Sequence, residues 1–116
     1  FPSGSDEINE AGQVEMKKLA DAIIELQKEI PPEINWVLRV DGHTDNRPLS
    51  GTGRYKDNWE LSSARATSVV KFLIANGVPA NRLVAAGFGE FQPLDAADTD
   101  EARNKNRRIE LKLTER

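Results

Sequence analysis

The sequence predicts an α/β sandwich, one mixed sheet with helices on one face. Two amphipathic helical stretches alternate with short apolar segments of two-residue period, and Pro or Gly punctuates each join. Residues 9–30 form the first helix. Leu19, Ala22, Ile23, Leu26 and Ile30 fall at i, i+3, i+4, i+7 and i+11, a single stripe at 3.6 residues per turn. Pro31 and Pro32 end it, because proline cannot extend the hydrogen-bond ladder. A strand follows at 34–41. There Ile34, Trp36, Leu38 and Val40 alternate with Asn35, Val37, Arg39 and Asp41, which assigns one face to the core and favours a core position for Trp36.

Residues 42–57, "GHTDNRPLSGTGRYKD", read as a polar loop, with the glycines of "SGTGR" as flexible loop positions. The second helix runs from about Asn58 to Asn76. Asp57 and Glu60 resemble a capping box at its start, and Asn76-Gly77 supplies its stop. Leu61, Ala64, Val69, Phe72 and Leu73 are its expected buried side. A short strand at Leu83–Phe88 comes next, then a connection at 89–106 with a helical turn near 98–104, then a final strand in "RRIELKL". There is room for an initial strand ending near Phe1.

At 116 residues the chain is one domain, 1–116, large enough for a core of its own. A net charge of −3, with 16 basic residues interleaved among 19 acidic ones, argues against nucleic acid as a partner. With no cysteine, disulfides and thiolate zinc sites are excluded. A transmembrane helix would need roughly 18 consecutive apolar residues, and none are present. The opening "FPSGSDEI" lacks an initiator Met, so we expect a piece cut from a longer protein, with any targeting or anchoring segment lying elsewhere.

The chemistry concentrates in "DGHTDN", residues 41–46, which holds two carboxylates and the single histidine. Asn58, Leu61 and Arg65 lie at i, i+3 and i+7 of the next helix, so a strand–loop–helix unit brings Arg65 toward Asp45 across a groove at the sheet edge. That pair is either a structural salt bridge or a clamp for a zwitterion, its carboxylate holding an ammonium and its guanidinium a carboxylate. Lying outside the core, either residue should be replaceable with little change in melting temperature. Catalysis lacks support: Ser62 and Ser63 have no nucleophile elbow, and a lone His43 reads as a hydrogen-bonded structural residue. One histidine with scattered carboxylates matches no metal-ligand spacing, so neither a metal nor a cofactor is expected. "SGTGR" is too little for a phosphate loop. Trp59, in the first helical turn, either lines the groove or packs on the neighbouring loop, the latter being favoured.

"GHTDN", "NWELSSARATSVVKFLIANGV", "RLVAAGFGEFQP" and "NKNRRIELKL" together resemble the successive signatures of the OmpA-like peptidoglycan-binding domain, shared by OmpA-, Pal- and MotB-type proteins. "NWELSSARA" is most similar to the MotB side. The resemblance covers nearly the whole chain and implies a β-α-β-α-β-β fold in the periplasm of a Gram-negative bacterium. It implies a non-catalytic anchor to the cell wall, with the stem peptide of peptidoglycan gripped at diaminopimelate. Asp45 and Arg65 are the implied ligand-holding charges, with Asn58, Thr44 and Leu61 around the same groove. Asn106, Arg107 and Arg108 would order the junction into the last strand, and Phe1 would support the site. Pro2 departs from the Asp that many members carry after that phenylalanine, and "RPLSGTGRYK" lengthens the loop into an extra wall or lid. A stator-like parent would be a homodimer. The alternative function is a protein–protein interaction module of an envelope or flagellar motor complex, using the 46–57 loop and the acidic 95–101 stretch.

Overall fold

The computed structural model describes residues 8–49 and 55–115. The expected initial strand near Phe1, the glycines of "SGTGR" and the lid formed by the middle of that loop fall outside the described residues. Helix α1 spans Glu10–Gln27, strand β1 Trp36–Gly42, helix α2 Asn58–Ala75, strand β2 Leu83–Gly87, helix α3 Asp100–Asn106 and strand β3 Ile109–Glu115. A 3-10 turn, Ala80–Arg82, leads into β2.

The sheet order is β2-β1-β3. β1 and β2 run parallel, with Leu38 opposite Leu83 and Gly42 opposite Gly87. A parallel pair needs a crossover, and α2 supplies it. β3 is antiparallel to β1, with Val40 opposite Leu111 and Asp41 opposite Glu110. The sheet is therefore mixed, and α1 and α2 cover the face that carries Trp36, Leu38 and Val40. The core joins those three to Ala20 and Ile23 of α1, to Ala66, Val69 and Leu73 of α2, and to Val78.

Local chemistry accounts for the element ends. The Asn9 side chain accepts from Gly12 N–H to start α1. Asp57 Oδ1 accepts from Glu60 N–H at 2.8 Å, while Glu60 Oε2 accepts from Lys56 N–H, one residue earlier than the reciprocal arm of a capping box. Gly77 closes α2 at φ +100°, the left-handed region that glycine tolerates. Thr99 caps α3 through Ala102 N–H.

Three expectations need correction. The buried side of α1 is Ala20 and Ile23, flanked by partly buried Met16, Leu19 and Ile24, whereas Ala22 is exposed and Leu26 is 45% exposed. The stripe is rotated because α1 packs over α2 and the sheet together. On α2, Ala64 and Phe72 are only half-buried, and Ser62, Arg65 and Ala66 take the inward positions. Finally, β1 is buried on both faces, Val37 and Asp41 included, because it is the central strand and its neighbours' side chains close over it.

Candidate functional site

The candidate site forms where β1 ends against the first turns of α2. Gly42 makes the approach possible: a Cβ there would collide with the backbone oxygen of Ser62. Gly87, its neighbour on β2, faces Ser63 and the Ser62 hydroxyl in the same way. Two glycines side by side thus let a helix backbone lie directly on the strand ends.

The chain past β1 remains tied down although it leaves the sheet. His43 N–H donates to Arg108 O (3.0 Å), Thr44 N–H to Gly89 O (2.9 Å), and Phe88 N–H to Gly42 O (3.0 Å). Ser62 Oγ accepts from Gly89 N–H (2.9 Å) and donates to Trp59 O (3.0 Å). Asn58 Nδ2 donates to Arg47 O (3.1 Å) and Asp45 O (3.3 Å), with Glu90 Oε1 at 3.5 Å. The first helical turn therefore holds both the 43–47 loop and the turn after β2.

Asp45 is 5% exposed. Its Oδ2 accepts from Arg107 Nη1 at 2.6 Å and its Oδ1 from Arg47 N–H at 3.0 Å. Arg65 is 0% exposed, with Nη1 donating to His43 O at 3.4 Å. Thr44 and Leu61 are buried beside them, and the Thr44 hydroxyl donates to Asp45 O. The open groove expected between Asp45 and Arg65, with both outside the core, is corrected here. Positions 58, 61, 62 and 65 form the same inward stripe that continues as 66, 69 and 73, so helix periodicity carries Arg65 under the strand end. The ion-pair partner of Asp45 among the described residues is Arg107, 62 positions away.

The "NRR" segment ties several pieces together. Asn106 is buried; its Oδ1 accepts from Leu94 N–H and Asp95 N–H, and its Nδ2 donates to Asp95 O. Arg108 donates to Glu110 Oε1 (2.6 Å), Gln92 O (2.7 Å) and Asn106 O (3.3 Å). Phe1 lies outside the described residues.

On the sheet face away from α1 and α2, a groove of about 320 Å³ is lined by Arg39, Asp41, His43, Phe88, Arg108 and Glu110, among others. Arg39 grips Asp41 through two bonds, 2.7 and 3.0 Å. His43 is not the hydrogen-bonded residue expected: among the described residues neither ring nitrogen has a hydrogen-bond partner, Nε2 lying 3.8 Å from Glu110 Oε2, and the ring stacks on Phe88 with centroids 5.1 Å apart. Burial and then the Arg108 charge lower its pKa, against the pull of Glu110 and Asp41. The neutral imidazole is favoured, which suits a stacked, buried ring. Among the described residues no group of three histidine or carboxylate side chains is placed to hold a metal, and no helix is long and apolar enough to cross a membrane.

Sequence reasoning did not find the roles of Ser62, Gly42 and Glu90, or the pairing of Asp45 with Arg107. One signal was present: Ser62 is polar at an inward helical position, which demands a backbone partner.

The OmpA family profile matches residues 1–107. Motility protein B of Helicobacter pylori (strain J99) is 36% identical over 107 residues, 92% of this chain and 39% of that protein. Peptidoglycan-binding protein ArfA of Mycobacterium bovis is 38% identical over 74 residues, 64% of this chain and 21% of that protein. The C-terminal domain of Helicobacter pylori MotB superposes with a TM-score of 0.85 at 32% identity, covering 98% of this chain and 81% of that one. The chain spans about two fifths of the length of the curated Motility protein B relatives, 39% and 42% in Helicobacter pylori and Bacillus subtilis. Among the described residues, three α-helices and a three-stranded mixed sheet match that fold, and the chain belongs to the OmpA family.

Proposed function

We propose that this domain is a non-catalytic binder of peptidoglycan that grips the stem peptide at diaminopimelate and so anchors a longer envelope protein to the cell wall. Membership of the OmpA family and similarity to a protein named for peptidoglycan binding support the coarse reading. For the finer one, the supporting observation is a convergence of charges. Two arginines, Arg65 and Arg107, reach the same three-residue segment, His43–Asp45, from a helix and from the entry to β3.

A zwitterion would exchange with the internal pair charge for charge. Its ammonium takes Asp45 from Arg107, and its carboxylate takes the released guanidinium together with Arg65. Because no charge is left without a counter-charge, such an exchange avoids the penalty of a bare buried ion. Asn58 and Thr44 hold the loop that carries Asp45 in place, and Leu61 is buried on the same stripe of α2. Each charge-assisted bond contributes about 1.5–3 kcal/mol. After ordering costs, a single site would bind in the micromolar range or more weakly, on the order of −5 to −8 kcal/mol. The wall repeats its stem peptide, so a tethered parent gains the rest through effective concentration. Location in the periplasm, and a dimeric, membrane-anchored parent, belong to the same proposal.

The test is calorimetric titration with diaminopimelate-type and lysine-type stem peptides. Asp45→Asn and Arg65→Lys should each lose on the order of tenfold in affinity for the former, about the worth of one charge-assisted bond. Lysine-type peptide, lacking the second carboxylate, should bind more weakly to the unaltered domain. Melting curves must accompany both variants, since both side chains are buried. Folded variants that bind as the unaltered domain does would refute the clamp.

A further inference from the structure

Two ion pairs tie the 45–47 segment to the 100–107 segment, and they differ in depth. The inner pair is Asp45 with Arg107 at 2.6 Å, their side chains 7% and 18% exposed. The outer pair reverses the order of charges. Arg47 Nη2 donates to Asp100 Oδ1 at 3.0 Å, with side chains 57% and 83% exposed. Arg47 also donates its backbone N–H to Asp45 Oδ1, so the two pairs are joined through a single carboxylate. On its other side the segment is held to α2, where Asn58 Nδ2 donates to Asp45 O and Arg47 O.

The proposed clamp requires Asp45 to leave Arg107, yet Asp45 and Arg65 are buried. A ligand reaches them only after the seam between the 45–47 segment and α3 has parted. The Asn58 bonds make one side of the segment a hinge, and buried Ala102 and Asn106 hold α3 in place. Among the described residues, the exposed tie across the seam is the outer pair. Such a pair contributes little to stability and is weakened by salt. Its release is also provided for. Arg103 Nη2 donates to the same Asp100 oxygen at 2.7 Å, and Nη1 to Asp98 Oδ1 at 2.6 Å. Asp100 therefore keeps a cation when Arg47 swings into water.

We propose that Arg47 and Asp100 form a latch over the Asp45–Arg107 pair and that its opening admits the charged ligand; this rests on the clamp reading above. Arg47 is then a positioning residue that favours the closed seam. Apparent affinity scales with the fraction of open molecules, so the latch lowers it. The sign of the effect separates a latch from a support: cutting a support weakens binding, whereas cutting a latch tightens it.

Titration with diaminopimelate-type stem peptide, and amide hydrogen exchange without it, test this on the 116-residue domain. Arg47→Gln and Asp100→Asn should each tighten binding by on the order of threefold at about 0.01 M salt. The double variant should gain no more than either single one, because both remove the same bond. Arg47→Lys should stay close to the unaltered domain. At about 1 M salt the gain should vanish, since the unaltered latch is then screened as well. In Asp100→Asn the Arg47 amide should exchange faster, while the Gly89 amide, held by Ser62 Oγ, should not change. Urea midpoints should move little.

Asp45→Asn keeps the two readings apart. If it weakens binding, the clamp stands, and single variants that bind no more tightly, or gains that add in the double variant, overturn the latch. If it keeps full affinity, the clamp fails and exchange alone decides, faster Arg47 exchange upholding the latch. Unchanged Arg47 exchange in Asp100→Asn overturns it in either case.

Discussion

The two halves of α2 lie equally deep and differ in everything else. Ala66, Val69 and Leu73 are 0–1% exposed; Asn58, Ser62 and Arg65 are 0–6% exposed, on the same stripe of the same helix. The C-terminal half is held by apolar contact, which is non-directional and accepts any well-fitting neighbour. The N-terminal half must supply a partner for every donor it buries. It draws them from the 43–47 loop and from the turn after β2. Burial depth therefore does not separate scaffold from site in this molecule; the polarity of what is buried does.

Arg107→Ala should break the polar half most severely. It strips the buried Asp45 carboxylate of its cation, at a cost of about 3–5 kcal/mol in urea unfolding, and weakens stem-peptide binding by on the order of tenfold. Adding Asp45→Asn should return part of that stability but none of the binding, so the double variant distinguishes charge from packing. Leu73→Ala, in the apolar half, should cost about 3 kcal/mol by leaving a cavity, yet the folded fraction should bind stem peptide normally. If Leu73→Ala weakened binding as Arg107→Ala does, the division between the halves would be wrong. Asn106→Ala should cost about 1–3 kcal/mol, because it orphans the Leu94 and Asp95 N–H groups.

The smallest effect is on pH dependence. His43 takes its proton less readily in the folded chain than at its ordinary value of 6.5. Its contribution is therefore fully present above pH 6.5 and is lost as pH falls through the lower folded value. Urea midpoints measured between about pH 7.5 and about pH 5 should fall less in His43→Phe than in the unaltered domain. Glu110, lowered chiefly by its bond to Arg108, adds a separate loss only below its ordinary value of 4.5.

The apolar half and most of the elements were legible from period alone. Pro31, Pro32 and Gly77 mark helix ends by chemistry that needs no tertiary context, although α1 stops at Gln27, one turn before the prolines. The alternation identified the core face correctly for Trp36, Leu38 and Val40, but Ile34, expected with them, precedes β1 and is exposed; it also missed that Val37 and Asp41 are buried, since a strand's position in the sheet is a property of pairing, not of its own residues. The spacing of Asn58, Leu61 and Arg65 was visible as a stripe. That it faces inward depends on Gly42 and Gly87, where missing side chains let α2 settle onto the strand ends. The partner of Asp45 was illegible from spacing because no periodicity links residues so far apart.

That distance has a bearing on how the protein is made. Because Arg107 sits just before β3, Asp45 gains its counter-ion only when a segment 62 positions later has been synthesised and has folded back against it. A nascent or clipped chain lacking residues 107–116 retains the sequences of α1, β1, α2 and β2 but has lost β1's antiparallel neighbour. The proposed grip on a stem peptide would then wait for β3 to dock, since Arg107 enters the domain with that strand.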